Sequence, residues 1–204
     1  QIAETKRKGE TAYKEYVSKN NLSYFTIQYL YMRSFYTTIS LESDMQEAVH
    51  YYQKQSEKYW SEYNLYAKGQ IALALFRSDK KSVAHKILKS LKENAITSDE
   101  LGMYWKTNTA GYYYYQAPIE TQALMIETFS EIGSISNESE VVKNNLQDID
   151  NLKIWLLKNK QTNRWKTTKA TTDAVYALLL NRSDLISITE MVAIKIGNQK
   201  INPI

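Results

Sequence analysis

The chain has 204 residues, of which 43% are hydrophobic and 24% charged, and this is the composition of a globular protein long enough to bury a substantial core. Its formal net charge of +4 is not collected into one long basic run, so the charge does not indicate nucleic-acid binding. No cysteine is present, which excludes disulfides, thiolate metal sites and a cysteine nucleophile. No apolar run reaches the roughly 20 residues that a membrane-spanning helix needs.

Long helices with short connections are expected, because the chain has only 6 Gly and 2 Pro to form turns. Residues 2–19 predict a polar helix with a thin apolar face. Asn21 or Ser23 can cap the next helix. Ser43 and Gln46 form a Ser-x-x-Gln pair, which is typical of the capping box at a helix start.

The middle of the chain contains the most apolar predicted helix and the longest irregular segment. Residues 63–76 are apolar on most sides, which predicts a centrally buried helix. Asp79 is expected to begin an amphipathic helix after it. Residues 97–117 form an irregular connection with four consecutive tyrosines at 112–115, where a short strand or hairpin is expected.

The later helices have clear start and stop signals. Pro118 suits the first position of a helix, and Gly133 suits its end. The following helix carries apolar residues spaced by three and four up to Leu156, and Lys158 and Lys160 suit its carboxyl-terminal end. Residues 192–196 then alternate apolar and polar side chains before Gly-Asn, a pattern that predicts a β-hairpin.

The last predicted helix follows Trp165. Thr168 is expected to cap it, and Ala170, Ala174 and Ala177 share one face, where small side chains allow another helix to approach closely. Trp105 likewise precedes a loop that leads into a helix. We expect each indole to pack over the start of the helix that follows it.

The series formed by residues 119–132, 150–162 and 165–178 resembles the later part of the thioester-domain region of bacterial alpha-2-macroglobulin-like proteins. The first segment reads Ile-Glu-Thr-Gln-Ala-Leu-Met-Ile-Glu-Thr-Phe-Ser-Glu-Ile, and the last begins Trp-Lys-Thr-Thr-Lys-Ala-Thr-Thr-Asp-Ala-Val. The resemblance implies antiparallel helical hairpins in an α/α toroid, here a partial ring. Residues 1–183 would belong to the toroid and 184–204 to the start of a β module, in a chain that is a segment of a longer protein.

The same resemblance implies a function. Members of the family trap proteases outside the cytoplasm, so it implies a periplasmic or cell-surface protein whose partners are neighbouring domains of the same large chain and, through the full-length protein, target proteases. It implies no enzyme activity and no cofactor. From the charge and the lack of a long apolar run, no nucleic-acid partner and no membrane segment are expected in this stretch. The thioester of the family needs a Cys-x-Glu-Gln motif, which a chain without cysteine lacks, so no thioester residue is assigned.

A basic cluster around one aromatic residue is the candidate interaction surface. It could dock a neighbouring domain or an acidic partner, or its charges could compensate a helix dipole and keep a loop soluble. Its members are Trp165, Lys158, Lys160, Arg164, Lys166 and Lys169.

Two other functions remain as alternatives. Glu120, Glu127 and Glu131 share a predicted helix face and could serve an α/α-toroid carbohydrate-active enzyme with the tyrosines at 112–115 as a sugar platform, although a solvated outer face is the simpler interpretation. A helical-repeat peptide-binding scaffold is the other alternative, but the period of about 34 residues typical of tetratricopeptide arrays is not found. His50 and His85 lie on separate predicted helices, without the three or four convergent ligands that a zinc site needs, so no metal site is predicted.

Overall fold

A computed structural model describes residues 2–134, 139–160, 165–180, 194–196 and 199–201. Within these ranges the chain is mainly helical, which confirms the predicted fold class at that level. The helices are α1 (Ile2–Arg7), α2 (Glu10–Ser18), α3 (Tyr24–Arg33), α4 (Ser43–Tyr59), α5 (Leu65–Arg77), α6 (Lys81–Glu93), α7 (Pro118–Ile132), α8 (Ser139–Lys158) and α9 (Thr168–Leu179), with a 3-10 turn at Trp60–Glu62. The strands are β1 (Ile96–Ser98), β2 (Gly102–Tyr104), β3 (Ile194–Ile196) and β4 (Gln199–Ile201).

Several predicted helix ends are confirmed. Ser23 caps α3, and its hydroxyl accepts from the amide of Thr26 at 3.1 Å. Pro118 is the first residue of α7, where its missing amide costs nothing because first-turn amides have no partner in the helix. The same helix ends at Ile132, so that Gly133 follows it as predicted.

Two predicted caps were wrong by one residue. The hydroxyl of Thr167, not of Thr168, accepts from the first-turn amide of Ala170 at 3.0 Å. Ser43 lies inside α4 and makes no side-chain cap, because the residue before it takes the extended N-cap conformation. Each error has the same cause, since two neighbouring polar side chains could fill the cap position and local pattern does not choose between them.

Three other predicted elements differ in the structure. The polar helix predicted over residues 2–19 is divided into α1 and α2 at Gly9, whose φ of 111° favours glycine. Asp79 does not begin α6; it has a φ of 62° and lies in the turn after α5. A hairpin does occur in the irregular connection, but it is β1–β2, and the four tyrosines at 112–115 lie in bends and turns after it.

The helices pack in an alternating order. The odd-numbered helices from α3 onwards form a row in which α3 contacts α5, α5 contacts α7, and α7 contacts α9. The even-numbered helices α4, α6 and α8 each pack against the odd-numbered helices before and after them in the chain. The β1–β2 hairpin lies against α8 through β2.

The core is centred on α5 and α7, as the apolar sequence of residues 63–76 predicted for α5. Both helices are buried on most sides, and they approach closely because Gly69 has no Cβ, whose place would lie 3.1 Å from the side chain of Leu124. Beside them, the Nε2 amide of the fully buried Gln122 donates to the carbonyls of Met103 and Leu152 at 2.8 and 3.2 Å. This one side chain therefore ties α7 to β2 and α8.

The last helix of the row packs as its sequence predicts. Ala170, Ala174 and Ala177 are buried on the face of α9 that meets α7. Its carboxyl-terminal carbonyls are bound by Lys153 of α8, whose Nζ donates to Leu180 at 2.8 Å. A cation at this end of a helix is favourable because the backbone dipoles leave partial negative charge there.

The two tryptophans named in the sequence occupy equivalent places at the ends of two even-numbered helices. The indole Nε1 of Trp105 donates to the carbonyl of Leu91 in the last turn of α6 at 2.9 Å, and Trp165 donates to Leu156 in the last turn of α8 at 3.3 Å. Both indoles are buried, with 3% and 5% of their surface exposed. Each hydrogen bond is thus to the end of the preceding helix, whereas the sequence predicted packing over the start of the next one.

The backbone around these two carbonyls is the same. After α6 the amide of Asn94 bonds to Ser90 and the next amide to Lys92, so the carbonyl of Leu91 between them is left for the indole. After α8 the amides of Asn159 and Lys160 bond to Trp155 and Leu157 and leave Leu156 in the same way. Since the last carbonyls of a helix need partners outside it, each Trp completes the end of its helix.

The predicted β-hairpin is present in the described residues. β3 and β4 pair antiparallel, with Ile194 opposite Ile201 and Ile196 opposite Gln199. The turn predicted at Gly197-Asn198 and the boundary predicted between residues 183 and 184 lie outside the described residues.

Candidate functional site

A cleft of about 430 Å³ runs along one face of the row of odd-numbered helices. All four helices contribute to it, α3 through its last turn and the residues just after it. It is lined by Tyr31, Phe35, Tyr66, Glu120, Ala123, Leu124, Glu127, Lys169, Thr172, Asp173 and Tyr176.

Helical spacing explains why α7 and α9 supply most of this lining. The cleft residues of α7 are at 120, 123, 124 and 127, and those of α9 are at 169, 172, 173 and 176. Residues three and four apart lie on one helix face, so each helix presents a single stripe to the cleft. The stripe on α9 is adjacent to the alanine face that packs against α7.

A buried ionic cluster around Arg77, the last residue of α5, adjoins the cleft through the lining residue Glu127. Its Nη2 lies 2.7 Å from Oε1 of Glu127 and 2.5 Å from Oε2 of Glu131. The other oxygen of Glu127 accepts from the hydroxyl of Tyr31 at 2.8 Å, and Nη1 of Arg77 donates to Oγ of Ser34 at 3.2 Å. The two carboxylates are therefore held by one guanidinium, in the fork geometry that Arg provides.

Aromatic rings cover the same guanidinium. Its central carbon lies 4.1 Å from the ring centre of Phe35 and 5.6 Å from that of Tyr31, within the range of a cation–π contact. Burial disfavours the charged form of Arg77, but its hydrogen bonds to Glu131 and Glu127 and their charges outweigh this and raise its pKa. Arg77 therefore stays charged although it is largely buried, and it is in contact with the ring of Phe35 and with two carboxylates.

The tyrosines of the cleft are kept protonated. Burial, helped by the charge of Asp173, by Tyr114 and by the charges of Glu120 and Glu127, raises the pKa of Tyr66 to about 12. Burial and the Glu127 carboxylate likewise raise the pKa of Tyr31. Ionising either phenol is unfavourable, because the phenolate would be buried and would lie near carboxylates of the same charge.

Negative charge exceeds positive charge in and around the cleft. Two carboxylates share Arg77, and Asp173 is paired with Lys169 one helical turn before it. Among the described residues, Glu120 makes no hydrogen bond or ion pair. Four carboxylates thus meet two cations, and a formal excess of two negative charges remains.

The structure brings together the three glutamates that the sequence placed on one helix face. Glu120 and Glu127 line the cleft, and Glu127 and Glu131 share Arg77. The expectation of a solvated outer face was wrong, because Glu127 is only 6% exposed. Four residues of this region were not predicted as site residues, and the only signal for them in the sequence was their position on the faces of apolar helices: Arg77, Tyr31, Tyr66 and Tyr176.

The tyrosines at 112–115 lie next to the cleft rather than in it. Tyr114 meets the cleft residue Tyr66 edge to face, with ring centres 6.5 Å apart. Tyr115 stacks on Tyr24 at 4.2 Å and on Tyr113 at 5.3 Å, which makes a column of three nearly parallel rings. These stacked rings are a structural unit that joins the irregular connection to α3.

The basic cluster predicted as an interaction surface is only partly assembled. Lys158, Lys160 and Lys166 are exposed, and Nζ of Lys160 lies 5.9 Å from the ring of Trp165. Trp165 itself is buried, Lys169 is paired with Asp173 beside the cleft, and Arg164 lies outside the described residues. A docking role for the exposed lysines stays a prediction.

Comparison with known proteins adds no relative: no protein family, curated protein or solved structure matches the chain. In the part of the chain that the structure describes, no three His, Asp or Glu side chains are grouped so that they could hold a metal ion. None of the helices described is both long and apolar enough to cross a membrane.

Proposed function

We propose that the chain is a non-catalytic helical segment of a large alpha-2-macroglobulin-like protein that traps proteases, in which it packs against neighbouring domains and positions them. Its partners would be those domains and, through the full-length protein, the trapped protease. The location proposed with it is the periplasm or the cell surface.

The observation that carries this proposal is the alternating packing of the helices. The odd-numbered helices form a continuous row from α3 to α9, and α4, α6 and α8 each pack against the odd-numbered helices before and after them. An α/α toroid is built in this way, with one helix of every hairpin inside and the other outside. The row and its flanking helices support a partial ring of this kind, as the resemblance of residues 119–178 implies.

The repeated helix end is a second support. An even-numbered helix ends with one carbonyl left to a Trp indole, and the chain then leads into the next odd-numbered helix; this happens after α6 and again after α8. The same unit used twice is expected of an architecture made from repeated helical hairpins.

Glu127 does not fit the carbohydrate-active alternative. A glycosidase needs one carboxylic acid that gives a proton to the leaving group. Both oxygens of Glu127 already accept hydrogen bonds, one from Arg77 and the other from Tyr31, so neither is free to face a leaving group. A panel of polysaccharides incubated with the chain should give no turnover; release of sugars that Glu120→Gln or Glu127→Gln abolishes would favour the enzyme instead.

The test of the proposed function needs the complete protein. The open reading frame should encode a long chain with a signal peptide and several β modules. That full-length protein, mixed with a panel of proteases, should be cleaved once and then retain the protease on size-exclusion chromatography. A free-standing cytoplasmic protein of this length, or a full-length protein that never retains a protease, would refute the proposal.

A further inference from the structure

We infer that the cleft along α3, α5, α7 and α9 is a binding site for an organic cation, namely a guanidinium or primary ammonium group. The inference is independent of the protease-trap proposal, because it uses only the residues of the cleft. The group could be carried by an Arg side chain of a protein segment or by a free amine, and the experiment below separates these sources.

The first argument is the charge of the cleft. Glu120 faces it without an ion pair among the described residues, and the pair of glutamates at Arg77 keeps one negative charge in excess. The lining is otherwise aromatic and aliphatic, with Tyr66 and Leu124 beside Glu120. A carboxylate next to apolar walls is exposed to less water than one on an open surface, so its attraction to a cation is larger.

The second argument is that the protein already binds one cation beside the cleft, with an aromatic ring and two carboxylates. Arg77 lies between the ring of Phe35, 4.1 Å from its guanidinium carbon, and the carboxylates of Glu127 and Glu131. The free part of the cleft offers the same two kinds of group, the rings of Tyr66 and Tyr176 and the carboxylates of Glu120 and Asp173. A second cation can therefore be bound as the protein binds its own, by rings and carboxylates together.

The third argument concerns the size and access of the site. A volume of about 430 Å³ lies within the range of small-molecule pockets, which is roughly 300–1,000 Å³. Tyr176 and Phe35 are each 51% exposed, so the cleft can be reached from solvent. It is large enough for the guanidinium and the alkyl chain of an arginine, whose apolar part would lie against Ala123 and Leu124.

Lys169 is the internal competitor for this site. Its ammonium group pairs with Asp173 at the cleft, and its side chain is 63% exposed. An added cation would share or replace this contact. Removal of the Lys169 charge should therefore strengthen binding, whereas removal of a cleft carboxylate should weaken it.

The experiment is a titration of the 204-residue chain followed by NMR of its tyrosine rings. The probes are N-acetyl-arginine amide, which represents a side chain of a protein, cadaverine, which represents a free amine, and N-acetyl-citrulline amide, the neutral analogue of the first. Each is added up to about 20 mM, above the millimolar Kd expected of a group with so few atoms. Far-UV circular dichroism of every variant checks that it is folded.

Binding of either cationic probe, but not of the citrulline amide, with shifts at Tyr66 and Tyr176 is the expected result. Glu120→Gln should weaken this Kd about fivefold, the loss of one partly exposed ion pair, and Lys169→Gln should strengthen it. Glu100→Gln, which removes an exposed charge between β1 and β2, is the matched control and should leave the Kd unchanged.

Preference for the arginine amide assigns the site to a side chain of a protein segment, and preference for cadaverine assigns it to a free amine. The inference is overturned if neither cationic probe shifts the cleft tyrosines, or if the citrulline amide binds equally well. It is also overturned if Glu120→Gln and Glu100→Gln weaken binding to the same extent, or if Lys169→Gln weakens it.

Discussion

Arg77 is the residue that compensates the buried charge of Glu127. Its side chain is 13% exposed, and that of Glu127 only 8%. A buried ion pair adds little net stability compared with an apolar pair of the same shape, because both charges must be taken out of water. Loss of one partner is different, because the remaining charge is then buried without compensation.

Arg77→Ala should therefore lower the free energy of unfolding by about 3–5 kcal/mol, since Glu127 and Glu131 would face each other unpaired. Lys89→Ala is the matched control, because Lys89 forms an exposed pair with Glu93 at 3.8 Å, and it should cost less than about 1 kcal/mol. Urea unfolding of both variants at pH 7 measures the difference. Equal losses in the two would show that the buried cluster does not behave as uncompensated charge.

Gly102 is fixed by both its backbone conformation and its surroundings. Its φ is 75°, and a Cβ at this place would lie 2.1 Å from the backbone carbonyl of Asn151 in α8. That carbonyl cannot move as a flexible side chain could. The close packing of β2 on α8 thus requires glycine at this position.

Gly102→Ala should lower the free energy of unfolding more than Gly9→Ala does. Gly9 also has a positive φ, of 111°, but nothing lies within 4 Å of its missing Cβ. Gly9→Ala should therefore show only the backbone strain, about 1–3 kcal/mol, and Gly102→Ala the same strain plus the clash with α8. Thermal melts of both variants make the comparison, and a Gly102→Ala protein as stable as Gly9→Ala would contradict the close contact.

At the scale of helices, the two indoles supply hydrogen-bond donors to the carboxyl-terminal ends of α6 and α8. The hydrogen bond from each Trp is made to a carbonyl that the backbone leaves over, in the last turn of the helix before it. The ends of α6 and α8 also share an Asn contact. The side-chain amides of Asn94 and Asn159 donate to the carbonyls of Ser90 and Trp155, at 2.8 and 2.9 Å. The two helices therefore end in the same hydrogen-bond arrangement.

Trp165→Ala should lower the free energy of unfolding by about 3–5 kcal/mol, the usual cost of deleting a large buried aromatic side chain. Trp165→Phe keeps a ring but leaves the carbonyl of Leu156 unpaired, so it should cost less, about 1–3 kcal/mol. Lys166→Ala, at an exposed neighbour, should have almost no effect. If Trp165→Ala melts at the wild-type temperature, Trp165 acts at a surface and not in packing.

The sequence was sufficient to predict most helices, because their apolar residues recur at helical spacing and their caps are local signals. For this reason the prediction of Pro118 as the first residue of a helix was correct, and Ser23 was one of the two caps predicted for α3. Local signals were ambiguous where two polar residues are adjacent, as at Thr167 and Thr168, or where the backbone takes a positive φ, as at Asp79. The indole bonds of the two Trp residues could not be read from the sequence, because their acceptors are backbone carbonyls in the preceding helix, 14 and 9 residues away.

At the scale of the whole molecule, the cleft is a product of tertiary packing. The glutamates on one face of α7 were predicted from spacing alone, but whether that face is buried or solvated depends on α3, α5 and α9 around it. Arg77 lies 50 and 54 residues from its carboxylate partners, and Tyr31 lies 96 residues from Glu127. No local pattern carries information over such separations, so a solvated face was expected where the structure has a buried one.

Tyrosine is the most unusual feature of the composition, with 17 in the chain, and the fold buries several of them. Burial is the leading cause that raises the pKa of Tyr31, Tyr63, Tyr66 and Tyr114. The folded state therefore holds these phenolic protons more tightly than the unfolded chain does. Between the unfolded pKa, about 10, and the higher folded value, the unfolded state binds fewer protons, so stability falls as the pH rises.

We therefore expect the free energy of unfolding contributed by these groups to be fully present below about pH 10 and to be lost as the pH rises through about 12, the pKa of Tyr66. Tyr66→Phe removes one buried phenol and should make the alkaline loss less steep, while Tyr112→Phe, at a ring that is 94% exposed, should leave it as in the wild type. Urea unfolding of the three proteins at several pH values from 8 to about 11.5 measures the slopes, and the variants are compared with each other because lysines also titrate in this range. A slope for Tyr66→Phe equal to that of the wild type would show that Tyr66 ionises as easily in the folded protein as in the unfolded chain, and that the carboxylates of the cleft do not act on it.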